Sequence, residues 1–189
     1  MEAHLFEWFN LALRWVHVIV GIAWIGASFY FVWLENNLDR QVKNQAIAGE
    51  LWAIHGGGIY HLQKYNLAPA TMPEHLHWFK WEAWWTGVSG ILLLAVVYYL
   101  GSAAFLIDPD VANITKPEAI GVGVATLIVG WLLYDGMYMS EWGNKYTKVS
   151  AAIGFFGLCV VAYGLAQVLS GRAAYVHVGA LMGIIMVLN

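Results

Sequence analysis

The chain has 189 residues, of which 60% are hydrophobic and 11% charged, with a formal net charge of −3. Because ordinary soluble domains carry about 25% charged residues, this composition excludes a typical soluble domain and predicts an integral membrane protein. No basic block indicates a nucleic-acid partner, and the single Cys159 excludes a disulfide framework, a cysteine-rich metal site and a C-x-x-C-H haem attachment within this sequence.

Five apolar segments follow one another along the chain, and a membrane-spanning helix needs about 20 residues. The predicted fold class is an all-α integral membrane protein, a polytopic helix bundle in one membrane domain over residues 1–189. A long interfacial insert, residues 35–83, separates helices 1 and 2. The last segment stops at Asn189 without a polar flank, which indicates that a continuation is missing. The five helices are expected at about 9–34, 84–106, 119–138, 149–169 and 173–189.

Lysine and arginine are unevenly divided between the two sides of the predicted bundle. Cytoplasmic loops carry an excess of these residues, so the richer side should face the cytoplasm. The sequence therefore predicts a cytoplasmic insert and a periplasmic N-terminus. The poorer side holds Arg14, Lys116 and Arg172, and the richer side holds Arg40, Lys43, Lys64, Lys80, Lys145 and Lys148.

Two histidines lie inside predicted membrane helices, His17 in helix 1 and His177 in helix 5. Each stands in an aromatic-Val-His-Val stretch, with Arg14 or Arg172 just upstream. Helices 1 and 5 run in the same direction, so both imidazoles lie in the same leaflet. They are candidate axial ligands of a haem b, with the two arginines as partners of its propionates. The alternative is that each histidine only hydrogen-bonds a neighbouring helix.

The insert contains the stretch ELWAIHGGGIYHLQKY, residues 50–65. Three successive glycines cost about 1 kcal/mol each inside a helix, so a β-hairpin turning at Gly56–Gly58 is predicted. With a three-residue loop, His55 pairs with Ile59. His55 and His61 then lie diagonally on one face, roughly 7 Å apart between backbones.

Helix length separates this hairpin from His17. The 18 residues from His17 to Glu35 rise about 27 Å at 1.5 Å per residue. The insert is therefore predicted to begin at the membrane face opposite His17. His55 and His61 are not expected to share a haem with it.

Several blocks of the sequence resemble the membrane domain of the cytochrome-c-linked urate oxidases, also called membrane-bound urate hydroxylases of the PuuD type. The resemblance runs in order from Glu2 to the end of the chain. The blocks are WVHVIVGIAWIGASFYFVWLEN, ELWAIHGGGIYHLQKY, HWFKWEAWWTGVSG, the IDP turn and YVHVGALMG.

This resemblance implies an enzyme of the bacterial inner membrane that oxidises urate to 5-hydroxyisourate in purine breakdown. Its electrons pass to cytochrome c rather than directly to oxygen. Similar proteins carry a cytochrome c domain after the membrane domain and have more than five membrane helices. Since this sequence has no C-x-x-C-H motif, the cytochrome c is expected as a missing domain or as a separate protein.

The insert offers the groups that a flat, donor-rich anion such as urate requires. We predict His55 and His61 as catalytic residues, because a neutral imidazole can accept a urate proton. The alternative is a folded cap whose histidines only stabilise a turn. The predicted substrate-binding residues are Tyr60, Gln63, Lys64 and Tyr65.

Two other functional classes fit buried polar residues and glycine-rich helices. One is a membrane transporter or channel subunit, which would show no urate-dependent reduction of cytochrome c. The other is a haem-binding electron-relay subunit without its own substrate, which would show a haem spectrum that does not respond to urate.

Overall fold

The computed structural model describes residues 2–189. Within these residues, five helical segments are long and apolar enough to cross a membrane, which confirms the predicted number. The helices are α1 (Glu2–Asn37), α2 (Trp81–Leu94) continued by a π-helical turn (Ala95–Tyr99), α3 (Ala103–Leu106), α4 (Lys116–Met139), α5 (Glu141–Lys145), α6 (Thr147–Ala166) and α7 (Gly171–Leu188).

The insert also contains two strands, β1 (Ile47–His55) and β2 (Gly58–Tyr65). The all-α class is therefore incomplete, because the insert folds partly as an antiparallel hairpin. The chain divides into two compact units. The helical unit comprises residues up to Val20 together with Ala83–Asn189, and the hairpin unit comprises Gly21–Glu82.

The core of the helical unit lies where α3, α4 and α7 meet. Leu106, Ala119, Leu169 and Ala173 are fully buried there. By contrast, α6 exposes large apolar side chains such as Phe156. Helices that face lipid need no polar outer surface, so this distribution suits a bilayer better than water.

Side chains define where several helices begin. At the start of α4, the Glu118 carboxylate accepts hydrogen bonds from the backbone N–H of Thr115 at 2.8 Å and from its hydroxyl at 2.7 Å. At the start of α7, the Ser170 hydroxyl oxygen accepts from the Ala173 N–H at 3.2 Å and donates to the Phe105 carbonyl at 2.8 Å. These contacts satisfy N–H groups that a helix start leaves unpaired, and Ser170 also ties α7 to α3.

The hairpin turns over two residues rather than three. Gly56 and Gly57 have φ values of +57° and +83°, which a two-residue type I′ turn requires at both positions. His55 consequently pairs with Gly58, and Trp52 pairs with His61.

The predicted pairing of His55 with Ile59 is therefore wrong by one residue. When the pairing register shifts by one residue, every side chain of one strand moves to the opposite face of the hairpin relative to the side chains of its partner strand. His55 and His61 accordingly lie on opposite faces of the hairpin, and the prediction that they share one face is also wrong.

A short bridge extends the hairpin on the outer edge of β1. Asp39 and Glu50 exchange two backbone hydrogen bonds of 2.8 and 2.9 Å. Beside this bridge, a Cβ at Gly49 would lie 2.9 Å from the Cβ of Leu38, so only glycine fits there without a shift. The backbone at Glu50 is thus held by β2 on one side and by the segment after α1 on the other.

Gly123 is a position at which α4 packs closely against a side chain of α7. A Cβ there would collide with Nε2 of His177, and it would also lie 3.0 Å from the Tyr99 hydroxyl. Gly121, on the same helix, has open space at the corresponding position.

We expect Gly123→Ala to destabilise the helical unit by about 1–3 kcal/mol, because overpacking forces neighbouring groups to shift. Thermal unfolding of the detergent-solubilised protein measures this. Gly121→Ala is the matched control and should unfold at or above the wild-type temperature, since alanine has the higher helix propensity. Equal unfolding temperatures for the two variants would contradict the close packing at Gly123.

Candidate functional site

One face of the hairpin brings four polar and aromatic side chains together. We call it the His61 face, formed by Glu50, Trp52, His61 and Gln63. Trp52 and His61 are directly opposite each other, and their rings stack at 4.2 Å between centroids with an interplanar angle of 12°. Trp52 is 65% exposed, so much of the indole is open to a ligand.

The Glu50 carboxylate links the polar members of the His61 face. Its Oε2 lies 2.9 Å from His61 Nε2 and accepts a hydrogen bond from the Gln63 amide at 3.3 Å. The side chains of His61 and Glu50 are 32% and 35% exposed. The His61 face therefore offers a hydrogen-bonding edge next to an aromatic plane, both open to a small molecule.

The opposite face, the His55 face, carries His55, Tyr60 and Lys64. Tyr60 lies over Gly58, where a Cβ would come within 2.9 Å of its hydroxyl. The Lys64 ammonium is 2.6 Å from one oxygen of Glu35, whose other oxygen is 2.7 Å from Arg40.

The predicted substrate residues are thus divided between the two faces. His61 and Gln63 lie on the His61 face with Glu50, while His55, Tyr60 and Lys64 lie on the other. Tyr65 is at the open end of the hairpin, opposite Ile47. Since Lys64 is already paired with Glu35, an anion on the His55 face would have to compete with that carboxylate.

His17 lies in the helical unit, half-buried against α2. Its Nδ1 is 3.1 Å from the Ser89 hydroxyl, and a Cβ at Gly90 would lie 3.0 Å from its Cε1. The Ser89 hydroxyl donates its proton to the Trp85 carbonyl at 2.6 Å, so its oxygen accepts from His17. Nδ1 therefore carries the proton, and Nε2 keeps its lone pair.

His177 is completely buried within the helical unit. Its Nδ1 lies 2.7 Å from the Ala173 carbonyl, which can only accept, so Nδ1 carries the proton. Its Nε2 accepts from the Tyr99 hydroxyl at 2.9 Å, and Gly123 closes the same side. Both membrane histidines thus hydrogen-bond a neighbouring helix segment, which was the alternative to haem ligation.

The two histidines differ in how well they fit a haem. His17 has the chemistry of a ligand, because Nδ1–H is held by Ser89 and no described residue hydrogen-bonds Nε2. His177 does not fit in this packing, because Tyr99 and Gly123 occupy the space at Nε2. Arg14 hydrogen-bonds Asn10 and Arg172 lies over the Phe105 ring, and neither pairs with a described carboxylate.

Clusters of three or more His, Cys, Asp or Glu side chains suited to a metal ion do not occur in residues 2–189. Haem ligation by His17 and the catalytic roles of His55 and His61 stay predictions, and the predicted ligation by His177 would require a packing other than the one described here.

Comparison with models of protein families shows to which family the chain belongs. A family model described as urate oxidase N-terminal matches residues 3–189. The chain belongs to the urate oxidase N-terminal family. Membership supports an oxidoreductase that acts on urate. Searches of curated proteins and of solved structures found no match.

Sequence reasoning missed four residues that shape the sites of this urate oxidase family chain. Glu50 and Trp52 are two residues apart on β1 and therefore lie on the same face of the strand. Only the register set by the two-residue turn places that face beside His61. Tyr99 and Ser89 had no such signal, because 78 and 72 residues separate them from their histidines.

We expect Tyr99→Phe to lower the stability of the helical unit by about 1 kcal/mol, because it leaves Nε2 of a buried imidazole without a donor. Unfolding in detergent checks this. Tyr98→Phe is the control, because Tyr98 contacts the His177 ring edge-on without a hydrogen bond to it. If both variants match the wild type, the Tyr99–His177 hydrogen bond contributes nothing.

Proposed function

We propose that the chain is the membrane part of an oxidoreductase that converts urate to 5-hydroxyisourate and delivers the electrons through a haem b to cytochrome c. The match of residues 3–189 to the urate oxidase N-terminal family carries this proposal. The five apolar helices support a location in a membrane. In this proposal it is the bacterial cytoplasmic membrane, and the distribution of lysine and arginine favours a periplasmic N-terminus and a cytoplasmic insert.

In this proposal urate binds at the His61 face. A flat heterocycle gains free energy by stacking on an exposed indole, and Trp52 provides one. The ring N–H groups of urate are donors for His61, while its carbonyl oxygens accept from the Gln63 amide. Tyr65 lies on the same strand and extends the polar edge.

The reaction removes two electrons and two protons from urate and one water molecule, and the water oxygen is added to the purine ring. His61 is positioned to accept one of these protons, since an imidazole is the common general base near neutral pH. The electrons leave to cytochrome c, either in a further domain or in a separate protein.

A haem b, when bound, supplies one-electron transfer between urate oxidation and cytochrome c. His17 would hold it through Nε2. The guanidinium groups of Arg14 and Arg172, which pair with no carboxylate among the described residues, suit its propionates. His177 has a different role in this proposal, because its hydrogen bonds to Tyr99 and Ala173 fix the packing of α7.

We expect His61→Ala to lower urate-dependent reduction of cytochrome c or ferricyanide by about 100-fold or more, the usual contribution of a general base. His55→Ala distinguishes the two predicted catalytic histidines: because His55 lies on the opposite face of the hairpin, this variant should keep its activity if urate binds at the His61 face. Full activity in His61→Ala would exclude the His61 face as the substrate site. Binding of urate without reduction of any acceptor would favour a transporter.

The haem proposal is tested by absorbance of the purified protein. We expect a Soret band that His17→Ala abolishes, because the ligand nitrogen is lost. His4→Ala is a matched control on the same helix, where His4 accepts a hydrogen bond from Trp8 four residues on. Absence of a Soret band from the wild type, or its persistence in His17→Ala, would refute ligation by His17. A haem spectrum that does not respond to urate would favour a relay subunit.

A further inference from the structure

We infer that Glu50 is a positioning residue, which holds His61 in the one tautomer that presents a basic nitrogen to the substrate. This inference rests on the proposed function, since it concerns the same face of the hairpin. It adds a residue that the sequence pattern did not indicate.

The hydrogen bond between Glu50 and His61 determines the position of the imidazole proton. A carboxylate oxygen can only accept, so the 2.9 Å contact requires the proton on Nε2 of His61. In a neutral ring the lone pair is then on Nδ1, the nitrogen that Glu50 does not contact. Nδ1 is the atom that can accept a proton from a bound molecule.

Glu50 is itself held in place by three independent contacts. Its backbone exchanges two hydrogen bonds with Asp39, at 2.8 and 2.9 Å. Its carboxylate also accepts from the Gln63 amide at 3.3 Å. Two residues further along β1, the Trp52 ring covers one side of the His61 imidazole and limits its rotation. The carboxylate and the imidazole are therefore fixed relative to each other before any substrate binds.

Glu50→Gln tests this arrangement with almost no change in size. A glutamine amide can donate as well as accept, so His61 can take up the other tautomer, with its lone pair towards residue 50 and a proton on Nδ1. We expect kcat for urate to fall by about 10- to 100-fold, the range for a misplaced catalytic group, while KM changes little.

A nitrogen NMR measurement reads the tautomer without any need for activity. In protein labelled with ¹⁵N-histidine, the signals of His61 are identified by their loss in His61→Gln. We expect the Nε2–H form in the wild type and a mixture, or the Nδ1–H form, in Glu50→Gln. An Nδ1–H form in the wild type would overturn the inference by itself.

Three further variants distinguish a failure of this inference from a failure of the proposed substrate site. In Glu50→Gln/His61→Ala the loss should equal that of His61→Ala alone, because Glu50 acts only through His61. Glu74→Gln removes the same charge from an exposed position of the hairpin unit and should leave both readouts unchanged. If His61→Ala is inactive and Glu50→Gln is fully active, the inference fails and the proposed site stands. If His61→Ala is fully active, the proposed site itself fails.

Discussion

A histidine that is fully buried among apolar helices needs a partner for each ring nitrogen, and His177 meets this need in a way that organises the helices around it. Its own helix supplies one acceptor, the Ala173 carbonyl. The other nitrogen must find a donor elsewhere, and Tyr99 provides it at the end of the π-helical turn. The His177 ring and the Tyr99 hydroxyl occupy the space beside α4. The α4 residue that faces them is therefore Gly123, which has no side chain.

His17, His177 and His61 each have one proton placed by a neighbour, but not on the same nitrogen. Ser89 and the Ala173 carbonyl place it on Nδ1 of His17 and His177, while Glu50 places it on Nε2 of His61. The membrane histidines therefore keep the outer nitrogen Nε2 as an acceptor, which suits a ligand or an interhelical bond. His61 keeps Nδ1, which suits proton transfer on an open surface.

Hydropathy was enough to predict the five long helices, because a spanning segment is defined by length and apolar composition. It did not predict the π-helical turn at Ala95–Tyr99 or the short helix α5, since neither changes the apolar pattern. The hairpin was predicted from its glycines, but the register was not. Three glycines permit a loop of two or three residues, and only backbone angles distinguish them. The pairing of Tyr99 with His177 depends on tertiary packing between residues far apart in sequence.

The glycine triplet has a consequence for how such a site can evolve. The same residues with a three-residue loop would bring His55 and His61 to one face and move Glu50 and Trp52 away from His61. Gly56 and Gly57 favour the shorter loop by accepting positive φ, and Gly58 leaves room for the Tyr60 ring. A substitution in the loop that changes its length could therefore change which side chains lie beside His61, although none of those side chains is itself replaced. Selection on this surface would act on the turn as much as on the residues that meet the ligand.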